Sequence, residues 1–176
     1  MHTKGLIHIY TGTGKGKTTA AVGLGLRALS HGLDVCYAFF NKKPEKYGNT
    51  EINSLEKMGA RIEGQDLEHP SFNSAVSHAQ MQEETKKSIL RINDLIHTEY
   101  FDMLILDEIL ISVRDGFIDE DYLIRFIQNR PAHMEFVLTG RAASPEMIDI
   151  ADYVSEIQKI KHAMDEDVPS RVGIEF

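Results

Sequence analysis

Apolar and polar positions alternate between short, uniformly apolar runs and longer stretches with helical spacing. Leu6-Ile7-His8-Ile9-Tyr10 is a mostly apolar strand candidate, and a glycine-rich loop follows it. From Thr18 to about Ser30 the pattern predicts a helix with Ala21, Leu24 and Ala28 on one face, stopping at Gly32. Val35-Cys36-Tyr37-Ala38-Phe39-Phe40 is apolar throughout, as in a strand covered on both faces. Residues 41–49 read as a polar loop and 51–58 as a short helix, while 65–74 has no clear period. A long helix is expected to follow as far as His97, with Ile89, Ile92 and Ile96 on one side. Met103-Leu104-Ile105-Leu106 is a second doubly covered strand and ends in Asp107-Glu108. Tyr122, Leu123, Phe126 and Ile127 mark a helix that must end before Pro131. Phe136-Val137-Leu138 is a strand running into Thr139-Gly140-Arg141. Ser144-Pro145 reads as a helix cap with proline at the first helical position, and residues 153–160 as a final strand.

Strands alternating with helices predict an α/β fold, with a mostly parallel central sheet flanked by helices. Ligands bind such sheets at the carboxyl ends of the strands. Both chemically suggestive segments fall there, one after the first strand and one after residues 103–106. There is no internal repeat and no low-complexity linker, and 176 residues fit a single domain over 1–176.

The first segment reads Thr11-Gly12-Thr13-Gly14-Lys15-Gly16-Lys17-Thr18-Thr19. Glycines let the backbone curl and aim several N–H groups at one anion. The positive end of the next helix faces the same anion. Lys17 can set an ammonium against phosphate oxygens, and the Thr18 hydroxyl can ligate Mg²⁺. The general phosphate-loop pattern has four residues between its first glycine and the Gly-Lys pair. Here three separate Gly12 from Gly16, so the loop is a shortened variant. Lys15 is either a second phosphate ligand or a solvated loop lysine. The second segment, Asp102 to Glu108, ends an apolar strand in two acids, where a carboxylate meets Mg²⁺ directly or through water. Either Asp107 or Glu108 could touch the metal.

Net charge is −8, which argues against a nucleic-acid partner but leaves room for a local anion site. The single cysteine, Cys36, cannot form an internal disulfide and reads as a buried strand residue in a reducing compartment. No stretch approaches the ~20 apolar residues of a membrane span, and no secretory signal is visible, so a cytoplasmic location is expected. The eight histidines are scattered without metal-ligand spacing and read as surface or packing residues, and Asp165-Glu166-Asp167 reads as a solvated turn. No residue stands out as the base of a hydrolase or kinase. Phosphate ligands without an evident base suit a nucleophile that needs no deprotonation.

Gly12-Thr-Gly-Lys-Gly-Lys-Thr-Thr-Ala-Ala21, followed by Gly23 and Arg27, resembles the phosphate loop of the CobA/BtuR-type ATP:corrinoid adenosyltransferases. That family typically reads G-N-G-K-G-K-T-T-A-A, with the same shortened loop. Asp102 to Glu108 resembles its acidic strand. Asn129-Arg130-Pro131, Thr139-Gly140-Arg141, Asp149-Ile150-Ala151-Asp152, Lys161-His162-Ala163 and Gly173-Ile174-Glu175-Phe176 resemble later family segments, in order and at similar spacing.

The resemblance implies a RecA-like P-loop fold, usually homodimeric. It implies transfer of the 5′-deoxyadenosyl group of ATP to the Co(I) of a reduced corrinoid, with triphosphate leaving and ATP lying reversed in the loop. By position, Gly12, Thr13, Gly14, Lys15, Gly16, Lys17, Thr18 and Thr19 would hold the triphosphate, with Arg27 near the nucleotide. Lys17, Thr18 and Glu108 would act in catalysis. Thr18 and Glu108, with Asp107 nearby, would serve Mg²⁺ or Mn²⁺. A reduced flavin protein is the usual electron donor. Longer members carry an N-terminal arm over the nucleotide; here the first strand begins almost at Met1, so that cover is absent or comes from elsewhere. The family often carries tryptophan and other aromatics after the second strand. This chain has no tryptophan, and Phe72 alone lies within 65–74, as a corrin contact or as local packing. Two other readings stay open: an ATPase or kinase producing ADP, and a non-catalytic ATP or corrinoid binder.

Overall fold

The computed structural model describes residues 4–47 and 50–175. Six strands, β1 (Ile7–Thr11), β2 (Val35–Phe39), β3 (Arg61–Gly64), β4 (Met103–Asp107), β5 (Glu135–Thr139) and β6 (Tyr153–Glu156), form one sheet in the order β3-β2-β4-β5-β1-β6. Every pairing is parallel. The helices are α1 (Lys17–Ser30), α2 (Thr50–Lys57), α3 (His78–Thr98), α4 (Ile109–Arg114), α5 (Glu120–Gln128) and α6 (Pro145–Ile150).

The central strands are apolar at successive positions because both faces of the sheet are covered. On one face Val35, Tyr37, Met103, Ile105 and Val137 pack with Ala21 and Ala28 of α1 and Leu55 of α2. On the other, Cys36, Leu104, Leu106, Phe136 and Leu138 pack with Ile89 of α3, Leu110 of α4 and Phe126 of α5. Cys36 is buried and free, as its place in an apolar run predicts.

Capping fixes the helix starts. Ser77 and Gln80 form a reciprocal box at the head of α3, and Ser144 accepts from the Met147 N–H at the head of α6. Three features depart from the sequence expectation. β3 lies in a segment with one apolar residue, Ile62, and forms because it pairs with β2 at the sheet edge. α4 follows β4 at once, with Glu108 alone between strand and helix. The last strand stops at Glu156 rather than near residue 160, because Ile157 turns across the glycine loop and accepts from the Gly14 N–H at 2.7 Å. Gly48 and Asn49 of the expected 41–49 loop, and His2, lie outside the described residues. Among the described residues no helix is long and apolar enough to cross a membrane.

Candidate functional site

Parallel register brings the carboxyl ends of β1, β5, β4 and β2 side by side: Tyr10 aligns with Thr139, Leu106 with Leu138 and Phe39 with Asp107. The glycine loop leaves β1 at this edge and enters α1. Gly12 has φ 99°, and a Cβ there would stand 2.5 Å from the Ile157 carbonyl oxygen. A Cβ on Gly14 would stand 2.8 Å from the Gln158 carbonyl oxygen. Both positions therefore exclude side chains, and the segment after β6 forms the floor of the loop. Gly16, at φ 121°, precedes α1 and gives it no side-chain cap. The first N–H groups of a helix have no intrahelical acceptor, so Lys17, Thr18 and Thr19 present donors to an anion at the positive end of a helix.

Lys17 is buried, at 7% exposure, and its Nζ donates to the Gly14 carbonyl at 2.7 Å. Burial lowers its pKa, and nearby Arg141 adds to this while Glu108 and Asp107 oppose it. Lys15 and Thr13 are exposed; the Lys15 Nζ lies 3.8 Å from Glu175, and Thr13 Oγ1 accepts from the Lys159 N–H.

Asp107, at the end of β4, is fully buried. Its Oδ1 accepts from Thr139 Oγ1 at 2.7 Å and Thr18 Oγ1 at 3.0 Å. Its Oδ2 accepts from Tyr37 Oη at 2.8 Å and from Lys42 Nζ. Burial alone would raise its pKa, but the Lys42 ammonium and these hydrogen bonds outweigh that and hold it below the ordinary range. Thr139 also accepts from the Glu108 N–H at 2.9 Å, so one hydroxyl on β5 fixes both acids. Glu108 has φ 66°, a left-handed conformation that turns the chain from β4 into α4. Burial and the Asp107 charge raise its pKa, and Lys42, Lys17 and Arg141 restrain the rise.

Thr18, Asp107 and Glu108 thus converge, and all their donor atoms are oxygen. A hydroxyl with one or two carboxylates suits a hard divalent cation that keeps waters and takes its remaining ligands from phosphates. These residues fit Mg²⁺ or Mn²⁺. Among the described residues no group of three or more His, Cys, Asp and Glu side chains is arranged to hold an ion, and the histidines make ordinary contacts such as His69 to Asp115 at 2.8 Å.

A cavity of about 670 Å³ opens beside the loop; Thr18, Thr19, Lys42 and Glu108 line it together with Phe72 and Ile174. Phe72 is 70% exposed on this wall, so it is not core packing. The structure does not bring Arg27 to the loop. It lies exposed in the last turn of α1, ten residues and roughly 15 Å along the helix axis from Lys17. Four residues join the site without having been singled out as ligands: Tyr37, Lys42, Thr139 and Arg141. The signal for each was its position at or near the carboxyl end of a central strand.

A family model described as ATP:corrinoid adenosyltransferase BtuR/CobO/CobP matches residues 3–176. The chain is 31% identical to the corrinoid adenosyltransferase CobA of Salmonella typhimurium, over 98% of this chain and 86% of that protein. It is 34% identical to a corrinoid adenosyltransferase of Sinorhizobium, covering 98% and 81% respectively. A third relative, from Pseudomonas aeruginosa, is 31% identical over 98% and 84%. The matched span takes in the glycine loop, the acid pair and the cavity wall alike, and the chain belongs to the ATP:corrinoid adenosyltransferase family.

Proposed function

We propose that this chain moves the 5′-deoxyadenosyl group of ATP onto the Co(I) centre of a reduced corrinoid and releases triphosphate. The electron pair on cobalt forms the Co–C5′ bond, the C5′–O bond breaks, and the leaving triphosphate takes the pair of that broken bond. Co(I) carries no proton to remove, so the protein's tasks are orientation and charge stabilisation. Holding two reactants in line is worth up to ~7–11 kcal/mol. One observation carries the reading: the anion-binding end of α1 and Glu108 open onto one cavity that Phe72 and Ile174 also line, with Asp107 buried behind Thr18 and hydrogen-bonded to it.

In this reading Gly12, Thr13, Gly14, Lys15, Gly16, Lys17, Thr18 and Thr19 embrace the triphosphate in a RecA-like P-loop. Lys17 and the α1 N–H groups hold the negative charge that grows on the leaving group. Thr18, Glu108 and Asp107 hold a divalent ion, which when bound supplies charge neutralisation on the polyphosphate. Asp107 keeps Thr18 in place. Arg27, in the last turn of α1, lies outside the loop. Phe72 and Ile174 offer the apolar surface a corrin ring needs. The domain works as one unit over 1–176, in the cytoplasm, with a reduced flavin protein as electron donor. A homodimer is supported by the edge strand β6 and the chain beyond it, where Tyr153, Val154 and Ile160 are exposed at 55%, 41% and 98%.

The test is anaerobic incubation with ATP, Mg²⁺ and chemically reduced cobalamin. Adenosyl transfer gives the visible spectrum of alkylated cobalt and intact triphosphate. ADP with no new cobalt–carbon bond would mean an ATPase or kinase, and ligand binding with no product would mean a carrier or sensor.

A further inference from the structure

Asp107 has four protein donors for its two oxygens, so any cation that reaches it must take the place of one of them. Tyr37 and Thr139 are fully buried within the sheet and cannot leave. Thr18 and Lys42 both line the 670 Å³ cavity. The Lys42 side chain retains 27% exposure and carries its charge on a flexible four-carbon stem.

The backbone beneath Lys42 is, by contrast, pinned. Asn41 sits at φ 62°. Its N–H donates to Gln65 Oε1 at 3.1 Å, and its Nδ2 donates to the Glu108 carbonyl at 3.0 Å and to Ser112 Oγ at 2.9 Å. Glu108 is therefore tied through its own carbonyl to the residue preceding Lys42. The Lys42 Cα stays fixed relative to the acid pair while its ammonium can swing within the cavity.

An ammonium and a divalent ion compete for the same anionic oxygen. At a few ångströms in a partly dehydrated site their mutual repulsion prevents both from sitting on Oδ2. We propose that Lys42 is an exchangeable cation: it yields Asp107 to the divalent ion and turns its ammonium onto the polyphosphate that arrives with that ion. Lys42 is thereby a second polyphosphate ligand, released from its carboxylate only when the metal is in place. Such an exchange couples the two ligands, since each favours the arrangement the other binds, and the coupling is reciprocal.

This inference rests on the metal–polyphosphate reading above, and binding measurements separate the two. Mn²⁺ alone, inorganic triphosphate alone, and each in the presence of the other are titrated, with free Mn²⁺ followed by electron paramagnetic resonance. In the wild type, triphosphate tightens Mn²⁺ binding about tenfold or more. In Lys42→Met, Mn²⁺ alone binds about tenfold more tightly than in the wild type, because its competitor is gone, while triphosphate alone binds about tenfold more weakly. The mutual enhancement shrinks accordingly, and Lys42→Arg, which keeps the charge, restores the wild-type pattern. If Lys42→Met does not fold, Lys42→Gln keeps a donor toward Asp107 without the charge and gives the same opposite shifts. Equal loosening of both ligands, or no change in either, overturns the exchange while leaving the metal–polyphosphate reading intact. A wild-type protein that binds neither Mn²⁺ nor triphosphate, singly or together, overturns both.

Discussion

Thr139→Val isolates the hydroxyl that holds the acid pair. Thr139 is fully buried; its Oγ1 donates to Asp107 Oδ1 at 2.7 Å and accepts from the Glu108 N–H at 2.9 Å. Valine fills nearly the same volume but supplies neither bond. Losing a hydrogen bond to a buried carboxylate costs about 1.5–3 kcal/mol, and leaving the Glu108 N–H without its acceptor costs about 1–3 kcal/mol. The two losses overlap, so about 3 kcal/mol is expected in total. For a chain of this size that lowers Tm by about 6–12 °C. Thermal unfolding followed by circular dichroism at neutral pH measures it, with Thr139→Ser as the control that keeps the hydroxyl and costs about 1 kcal/mol for the lost methyl. Asp107 is held ionised, its pKa depressed in the folded state, so its contribution is present at neutral pH and lost as pH falls through that lowered value. Thr139→Val raises the Asp107 pKa, and its acid unfolding therefore begins at higher pH than the wild type's. A Tm within 2 °C of the wild type, or an unchanged acid limb, would refute the assignment of Thr139 as the clamp on both acids.

Lys17→Ala removes an ammonium that, among the described residues, donates to the Gly14 carbonyl, so the fold should survive while triphosphate affinity drops about tenfold to a hundredfold by isothermal titration; unchanged affinity and turnover would count against the phosphate-loop assignment. Glu108→Gln should weaken Mg²⁺ dependence at constant ATP, and an unaltered Mg²⁺ titration would move the metal role to Asp107. Burial, reinforced by Glu63, pushes the Cys36 thiol from 9.0 up to about 12, so a thiol reagent at neutral pH should label it only at the rate of unfolding. The unfolded chain ionises this thiol first. Its contribution to stability is therefore constant below about 9 and lost as pH rises from 9.0 towards about 12, a slope that Cys36→Ala removes.

The sheet was legible where both faces are covered, because β2 and the middles of β4 and β5 are apolar at successive positions. The edges were not. β3 is Arg-Ile-Glu-Gly and owes its existence to pairing with β2, and β6 is exposed along its whole length. α4 was hidden because Ile109–Arg114 is too short to show a helical period and follows the Asp107-Glu108 turn at once. Within the site, the glycine loop and the acid pair are local patterns and could be read directly. Tyr37, Lys42 and Thr139 meet Asp107 across 70, 65 and 32 residues of chain, through a strand register that hydrophobic spacing does not encode. Arg27 shows the converse. A motif residue close in sequence to the loop is carried away from it by the length of the helix.

Displacement at C5′ is tested most directly by following both ends of one nucleotide. ATP labelled in its adenosyl group, and separately in its γ-phosphate, is reacted anaerobically with the protein and Co(I) corrinoid. Adenosyl transfer predicts that the first label appears on the corrinoid and the second in intact triphosphate, in a one-to-one ratio. Recovery of the first label in ADP and the second in orthophosphate or a phosphorylated acceptor would contradict it.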